Sequence, residues 1–351
     1  MVKPAILLDP HPRYRRMIFS DAQWARLNAT VDVIEAAGDG PMPADEIERA
    51  LPRVVAILGQ TELDAERIAR APLLTAVINV EGNFQPNVDY PACFRRGIDV
   101  LSIAPVFALP VAEMALGLAL DLARGITAGD RAMREGSERY GRAGNDRAIL
   151  LSGTTLGLVG FGNLGRALRR LLDGFGSPIL VHDPWLPDAG IRDEGCVPAT
   201  LADLLHRARV IFLLAGVTID NPGFIDRAAL ASIPDDAVLV LASRAAIVDF
   251  GALCDEARSR RLRVATDVFP EEPVRPDDPV RATPMLLSAH RAGGIPAAFQ
   301  DIGERILDDL DLILRKLPPM RLQRAQPQTA GLMRSSGGRS YTQAESERLA
   351  R

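Results

Sequence analysis

Short apolar runs alternate with polar, helix-forming stretches along the first hundred residues. Each apolar run is four to six residues long, which is the usual length of a buried strand. Helix-forming residues such as Ala22–Ala29 and Ala44–Leu51 lie between the runs. Strands that alternate with helices predict a parallel sheet with helices on its faces. The predicted strands are Ala5–Leu8, Val31–Ile34, Val54–Leu58, Thr75–Val80 and Val100–Ile103.

The same alternation resumes after residue 150 and predicts a second parallel sheet. Before it lies one long helix, from Val111 to about Arg124, which is apolar nearly all round and therefore buried in a core or between subunits. A last amphipathic helix ends before Pro318-Pro319. The predicted strands of this second region are Leu156–Val159, Pro178–Asp183, Val210–Leu214, Val238–Leu241, Arg263–Thr266 and Met285–Ser288, and the last helix has apolar residues at Ile302, Ile306, Leu310 and Leu314.

Two interruptions of the pattern, near Pro105 and near Gly294, divide the chain. They predict one domain made of residues 1–104 plus 295–320 and a second domain, residues 105–294, inserted into it. Two crossings of the chain side by side would form a hinge around a cleft. Residues 321–351 are rich in Arg, Gln, Ser and Gly and predict a flexible tail, with a short helical segment near Gln343–Ala350.

Composition narrows the class of protein. The 351-residue chain has a formal net charge of −4, which gives no electrostatic reason to expect nucleic acid or a membrane surface as a partner. Cys93, Cys196 and Cys254 lack metal-ligand spacing, so we expect no metal site and three reduced thiols in a cytoplasmic protein. No uncharged apolar run is long enough to span a bilayer.

A glycine-rich turn is the most informative motif. Strand Leu156–Val159 runs into Gly160-Phe161-Gly162-Asn163-Leu164-Gly165, and helix-forming residues follow. In a dinucleotide site, one glycine makes the tight turn, the next lets the backbone approach the pyrophosphate, and the third lets helix and strand pack closely. The positive end of the helix then faces the anion. Taken alone, the motif is equally well explained as an ordinary turn between a strand and a helix.

An acidic residue at the end of the next strand favours the dinucleotide interpretation. Asp183 lies 18 residues after Gly165, close to the spacing of about 20 expected for the carboxylate that binds the adenosine ribose. That carboxylate would repel a 2′-phosphate, and no Arg or Lys lies between Val181 and Gly190, so NAD is predicted over NADP. The alternative is a surface acid that begins an Asp-Pro turn. Residues 105–294 are therefore predicted to be a Rossmann NAD-binding domain inserted into a flavodoxin-like substrate domain, an α/β fold with two doubly wound parallel sheets.

Arg244, Glu272 and His290 each follow one of the later strands, at the edge where an open α/β sheet binds its ligands. Taken singly, Arg244 is explained as a surface cation, Glu272 as an acid in a solvated turn, and His290 as a core histidine. Downstream of a cofactor loop, the same three residues form a set that can hold a carboxylate and exchange a proton.

At these motifs the chain resembles the D-2-hydroxyacid dehydrogenase family, from about Thr75 to Pro318. The motifs are the glycine turn with Asp183, Arg-x-x-x-Val-Asp at Arg244, Asp-Val-Phe-x-x-Glu-Pro at Asp267, and His290 before Gly293-Gly294. The resemblance implies that Arg244 clamps the substrate carboxylate, that His290 is the acid/base with Glu272 as its partner, and that Asp267 reaches the nicotinamide carboxamide. The cofactor-binding residues predicted in this way are Gly160, Gly162, Asn163, Leu164, Gly165, Asp183, Ala242, Asp267 and Gly293.

The family resemblance implies a reversible hydride transfer between NAD(H) and C2 of a small D-2-hydroxy acid or 2-keto acid. Histidine suits the proton transfer because its ordinary pKa lies near neutrality, and a neighbouring carboxylate stabilises the imidazolium form. Arginine suits the clamp because its planar fork matches a carboxylate. The helix at Val111–Arg124 resembles the dimer element of the family, so a homodimer is expected.

The substrate loop, residues 80–89, departs from the glycine-rich loop of the family. The backbone N–H groups of Gly82, Asn83 and Phe84 are predicted to bind the substrate carboxylate, and the side chains of Glu81 and Phe84 to reshape the pocket. The loop contains no Lys or Arg, which weakly disfavours a phosphorylated substrate such as 3-phosphoglycerate. The alternative is that Arg95, Arg96, Arg291 or a partner subunit supplies the cation for the phosphate. Further departures are Leu241 in place of Asn, Ala245 in place of Gly, and Ser288-Ala289 in place of Thr-Pro.

Two other functions remain open. One is a formate- or phosphite-type dehydrogenase on the same scaffold, although formate enzymes of the family carry an amide where this chain has Glu272. The other is an NAD(H)-sensing, corepressor-like binding protein, which the Arg-rich tail favours and the intact set of Arg244, Glu272 and His290 disfavours.

Overall fold

The computed structural model describes residues 3–38 and 40–332. Within these residues the chain forms thirteen strands and thirteen α-helices, with short 3-10 helices between some of them. The strands are β1 (Ala5–Asp9), β2 (Asp32–Glu35), β3 (Val54–Gly59), β4 (Ala76–Asn79), β5 (Asp99–Ser102), β6 (Leu156–Val159), β7 (Ile179–His182), β8 (Val197–Pro198), β9 (Val210–Leu213), β10 (Val238–Leu241), β11 (Arg263–Thr266), β12 (Leu286–Leu287) and β13 (Gln323–Arg324). The helices are α1 (Arg15–Ile18), α2 (Asp21–Thr30), α3 (Ala44–Ala50), α4 (Ala65–Ala69), α5 (Tyr90–Arg96), α6 (Ala108–Arg124), α7 (Ile126–Glu135), α8 (Asn163–Leu171), α9 (Asp188–Asp193), α10 (Leu201–Arg207), α11 (Arg227–Ala231), α12 (Phe250–Arg258) and α13 (Pro296–Leu314).

The chain divides into two compact units. Among the described residues, the first contains those up to Phe107, the short segment Thr218–Asp220, and residues 294–332. The second contains Ala108–Val217 and Asn221–Gly293. Apart from the short segment, the chain therefore passes between the units after Phe107 and before Gly294.

The first unit is built on a six-stranded sheet with the order β13-β5-β4-β3-β1-β2. Five of these strands are parallel, and their order is that of flavodoxin-like sheets, as the sequence predicts. On one face, α13 buries Ile302, Ile306 and Leu310 in a core that also contains Ile6 and Ile78. A second core on this sheet includes residues of α3, α4 and α5. Both faces are covered, which explains why the strands are continuous apolar runs.

The prediction of a flexible tail from residue 321 is wrong for residues 321–332. Strand β13 pairs antiparallel with β5, with Gln323 opposite Ser102 and Arg324 opposite Leu101. Ala325 is buried in the core, so this segment belongs to the first unit. A strand of two residues has no periodicity to detect, and only its partner strand defines it. The rest of the predicted tail, including the helical segment near Gln343–Ala350, lies outside the described residues.

The second unit is built on a seven-stranded sheet with the order β12-β11-β10-β9-β6-β7-β8, and every pairing within it is parallel. The order 3-2-1-4-5-6 of its first six strands is that of a Rossmann sheet, as predicted. The strand ends are in register: Val159 pairs with His182 and Leu213, and Leu241 pairs with Leu213 and Thr266. The residues that follow these strands therefore share one edge of the sheet.

Helix α6 belongs to the second unit, where it packs on α8, β10 and β11. By length and composition alone, the helical stretch Ala104–Arg124 could cross a membrane, with a mean hydropathy of 1.8. Ala112, Ala115 and Ala119 are fully buried, because small side chains let the helix approach its neighbours closely. Packing within this unit therefore explains the apolar character of the inner face of α6.

Candidate active site

The glycine turn joins β6 to α8 in the way that a dinucleotide phosphate requires. Gly160 has a φ of +96°, and a Cβ atom there would lie 2.5 Å from the backbone nitrogen of Ala215, so only glycine fits. Gly162 precedes the first residue of α8. A Cβ atom at Gly162 would meet no atom of the described chain within 4 Å, so its backbone borders open space. A pyrophosphate fits there, beside the first N–H groups of the helix.

Asp183 follows β7 and lies directly against the glycine turn. One of its carboxylate oxygens accepts a hydrogen bond from the Phe161 N–H at 2.8 Å, and the other accepts from the Trp185 N–H at 3.0 Å. Each carboxylate oxygen has two acceptor sites, so these contacts leave capacity for ribose hydroxyls. Asp183 and the glycine turn are therefore in contact, although the sequence relates them only by their spacing in the chain.

Arg244 leaves the sheet at the end of β10. Its backbone is extended, its side chain is exposed, and Nη1 donates to the Ser243 carbonyl at 2.7 Å. Ala242, which is predicted to contact the cofactor, is buried and donates its N–H to the Leu213 carbonyl at 3.3 Å. The guanidinium of Arg244 therefore lies at the same sheet edge as the glycine turn.

Glu272 and His290 form a direct pair. Nδ1 of His290 lies 2.6 Å from Oε2 of Glu272, and the other oxygen of Glu272 accepts from the Phe269 N–H at 2.8 Å. The two side chains are 15% and 31% exposed, so the pair is shielded but open to a ligand. Because both carboxylate oxygens are held, the carboxylate has one orientation and in turn orients the imidazole ring.

His290 has a φ of 49°, in the left-handed region that a residue with a Cβ atom adopts at a cost of about 1–2 kcal/mol. Asp267 holds this turn. Its carbonyl accepts from the His290 N–H at 2.7 Å, and its carboxylate oxygens accept from the N–H groups of Arg291 and Ala292 at 3.1 and 3.0 Å. The Asp267 side chain is buried. The structure thus gives Asp267 a role in positioning His290, while its predicted contact with the nicotinamide stays a prediction.

The substrate loop belongs to the first unit, whereas the other predicted site residues belong to the second. Within the loop, Asn83 has a φ of 76°. The Phe84 side chain is 2% exposed and packs edge-on against the Tyr90 ring at 6.2 Å. The prediction that the Phe84 side chain reshapes the pocket is therefore wrong, since this ring is part of the core.

The sequence analysis missed Arg13. Its Nε donates to the Val80 carbonyl at 2.8 Å, and its Nη2 lies 3.1 Å from Oε2 of Glu81. The substrate loop contains no cation of its own, but Arg13 supplies one. A signal was present: Arg13 follows β1, and the carboxyl end of β1 lies on the same sheet edge as that of β4, where the loop begins.

Residues 116–292 match the family model described as the NAD binding domain of D-isomer specific 2-hydroxyacid dehydrogenases. The chain belongs to the D-isomer specific 2-hydroxyacid dehydrogenase family, and the resemblance stated from the motifs is confirmed. The matched region, which contains the glycine turn and His290, is the NAD-binding domain.

Among solved structures, the chain is similar to a phosphoglycerate oxidoreductase from Rhizobium etli, with 43% identity and a TM-score of 0.85 over 93% of this chain and 100% of that one. It is 33% identical to D-3-phosphoglycerate dehydrogenase of Mycobacterium tuberculosis over 267 residues, which are 75% of this chain and 49% of the relative. It is 30% identical to hydroxypyruvate reductase of Thermotoga maritima over 241 residues, 68% of this chain and 76% of the relative. The chain thus spans about half the length of the mycobacterial protein that it matches.

Proposed function

We propose that the protein is an NAD-dependent oxidoreductase that transfers a hydride between the nicotinamide and C2 of a small D-2-hydroxy acid or 2-keto acid. The observation that carries this proposal is the 2.6 Å contact between His290 and Glu272 at the edge of the sheet that also carries the glycine turn. Family membership supports it. An acid/base pair beside a dinucleotide site is suited to a reaction in which a hydride and a proton move to opposite ends of a carbonyl group.

The residues at the glycine turn fit NAD. The backbone at Gly162 and the first turn of α8 would hold the pyrophosphate, and Asp183 would accept hydrogen bonds from the adenosine ribose. When bound, the cofactor supplies or accepts the hydride. The negative Asp183 disfavours a 2′-phosphate, so we propose NAD rather than NADP as the cofactor.

His290 would exchange the proton of the reaction. Its Nδ1–H donates to Glu272, so the proton that passes to the substrate is the one on Nε2. In the reductive direction, the C2 oxygen gains this proton as C2 gains the hydride, and the ketone becomes a hydroxyl group. The Glu272 carboxylate accepts from Nδ1 and keeps Nε2 directed away from itself, toward the substrate side. In the oxidative direction, neutral His290 takes the proton back.

Arg244 would hold the substrate carboxylate. A guanidinium binds a carboxylate with two parallel hydrogen bonds, which fixes the orientation of C2 as well as its position. The backbone N–H groups of Gly82, Asn83 and Phe84 would bind the same carboxylate from the substrate loop. Fixed geometry of this kind lowers the entropic cost of bringing the reacting atoms together.

We also propose that the protein is a homodimer that buries the outer faces of α6 and α7. Within the second unit, α7 has no buried residue, although helices normally bury one face. Leu109, Ile126 and Met133 are 52%, 60% and 56% exposed on these helices. Large apolar side chains that are exposed on two consecutive helices are suited to an association surface. Light scattering on the purified protein tests this proposal, and a monomer at micromolar concentration contradicts it.

The experiment that tests the proposed reaction is a substrate panel. Glyoxylate, hydroxypyruvate, pyruvate and 3-phosphohydroxypyruvate are assayed with NADH and NADPH. D- and L-glycerate, formate and phosphite are assayed with NAD. We expect turnover with small 2-keto acids, a preference for NADH, and oxidation of the D isomer alone. Tight NADH binding without turnover of any acid would favour the NAD(H)-sensing protein, and oxidation of formate or phosphite would favour the other dehydrogenase class.

A further inference from the structure

Arg13 lies in a buried cluster with two aromatic residues of the first unit. Its side chain is 5% exposed, and the centre of its guanidinium lies 5.0 Å from the Phe299 ring centroid and 5.7 Å from that of Phe107. The two rings contact each other edge to face, with centroids 6.4 Å apart. A desolvated guanidinium over aromatic rings is held by cation–π attraction, which is stronger when the cation is shielded from water.

The same guanidinium holds the beginning of the substrate loop. It binds the Val80 carbonyl through Nε and the Glu81 carboxylate through Nη2. The next residue, Gly82, lies beside the ring of Phe107. A Cβ atom at Gly82 would be 3.7 Å from that ring. The cluster thus fixes the backbone at the point where the substrate carboxylate is proposed to bind.

The two aromatic residues have particular places in the chain. Phe107 is the last residue before the chain leaves the first unit, and Phe299 follows Gly294, where the chain returns to it. Arg13 therefore joins the substrate loop to the two segments through which the chain enters and leaves this unit.

We infer that Arg13 is a positioning residue for the proposed reaction: it fixes the substrate loop and links that loop to both connecting segments. This inference rests on the proposed function. Lysine cannot replace Arg13, because a single ammonium group cannot bind a carbonyl and a carboxylate in fixed directions while lying flat over two rings. Substrate affinity therefore depends on a residue that need not touch the substrate.

The test compares variants of the full chain. Arg13→Met keeps an unbranched apolar stem but removes the cation that pairs with the buried Glu81 carboxylate, and this loss can impair folding. The double variant Arg13→Met/Glu81→Gln removes that charge as well. We expect the double variant to fold and bind NADH with unchanged affinity, but to show a KM for its 2-keto acid at least tenfold above that of the wild type. We expect Arg13→Lys to keep more than half of this increase in KM.

Arg15→Met is the matched control. Arg15 also pairs with a carboxylate, that of Glu35 at 3.4 Å, and also lies over an aromatic ring, that of Trp24 at 4.5 Å. Among the described residues, neither of these contacts involves the substrate loop. We expect its KM to stay within twofold of the wild type. The inference would be overturned if the KM of the double variant also stayed within twofold of the wild type. It would also be overturned if the double variant lost as much affinity for NADH as for the keto acid.

Amide hydrogen exchange gives a readout that needs no turnover. In the double variant we expect faster exchange at residues 81–84, with β4 as protected as in the wild type. If the wild type reduces no 2-keto acid, the proposed function fails, and the exchange experiment still decides whether Arg13 holds the loop. Unchanged exchange at residues 81–84 would show that it does not.

Discussion

Nδ1 of His290 lies 2.6 Å from Oε2 of Glu272, although 18 positions separate the two residues in the chain. The contact forms because β11 and β12 are neighbours in the sheet and the segments that follow them leave it at the same edge. A carboxylate that is itself held by the Phe269 N–H orients the imidazole ring and determines which ring nitrogen faces the reaction.

Replacing His290 by Gln should remove the proton donor while retaining a side chain of similar size. We expect kcat for 2-keto acid reduction to fall by a factor on the order of 10² or more, with little change in NADH affinity. Steady-state kinetics and a fluorescence titration with NADH measure the two effects. Turnover near that of the wild type would exclude His290 from the mechanism.

Asp183→Ala should weaken the discrimination between NAD and NADP, because the carboxylate that repels a 2′-phosphate is removed. NAD affinity should fall as well, since Asp183 also accepts from the Phe161 N–H in the glycine turn. The ratio of kcat/KM for the two cofactors is the measurement. Asp188→Ala is the control, since Asp188 pairs with Arg192 on the surface of α9. An unchanged ratio in Asp183→Ala would mean that another residue selects the cofactor.

Asp309→Ala should destabilise the first unit by about 2–4 kcal/mol. The fully buried Asp309 carboxylate accepts hydrogen bonds from the N–H groups of Met320, Arg321 and Leu322, just before β13. Removal of the carboxylate leaves these three backbone N–H groups without their acceptor. Urea unfolding measures the change, and Asp309→Asn, which keeps one acceptor oxygen, should lose less.

Asp311 supplies the matched control for this experiment. It lies on the same helix, but it is 54% exposed and pairs with Arg315 in a salt bridge on the helix surface. Asp311→Ala should change the free energy of unfolding by less than about 1 kcal/mol. Equal losses at both positions would contradict a special role for Asp309.

The protein should lose stability at alkaline pH, in part through its first unit. Burial raises the pKa of the Cys93 thiol from 9.0 to about 12, with a further contribution from the Asp89 carboxylate, and burial also raises the pKa of Tyr90. Above pH 9 the unfolded chain releases the thiol proton while the folded chain keeps it, so deprotonation favours unfolding. The stabilisation is complete below pH 9 and is lost as the pH rises toward 12.

Melting temperatures between pH 8 and pH 11 test this expectation. Cys93→Ala should flatten the decline, because it removes one of the groups that titrate differently in the two states. Tyr140→Phe, at a position that is 77% exposed, should leave the decline as it is in the wild type. A melting temperature that does not depend on pH in this range would contradict the prediction.

The sequence by itself determined the features that depend on neighbours in the chain. Strands β6, β10 and β11 begin and end at the predicted residues, because a strand buried on both faces is a continuous apolar run with polar residues at its ends. The glycine turn and the spacing to Asp183 are equally local. Even the pair of Glu272 and His290 could be proposed, since both follow strands of one parallel sheet.

Only the tertiary structure decided the features that depend on distant partners. Arg13 meets Val80 across 67 positions, β13 exists only because β5 offers it a free edge, and the Phe84 ring is in the core because Tyr90 and its neighbours leave room for it. Asp267 likewise turned out to hold the turn of His290, through main-chain groups that follow a different strand. Side-chain direction and long-range pairing are set by packing in three dimensions, and a one-dimensional pattern of apolar and polar residues does not encode them.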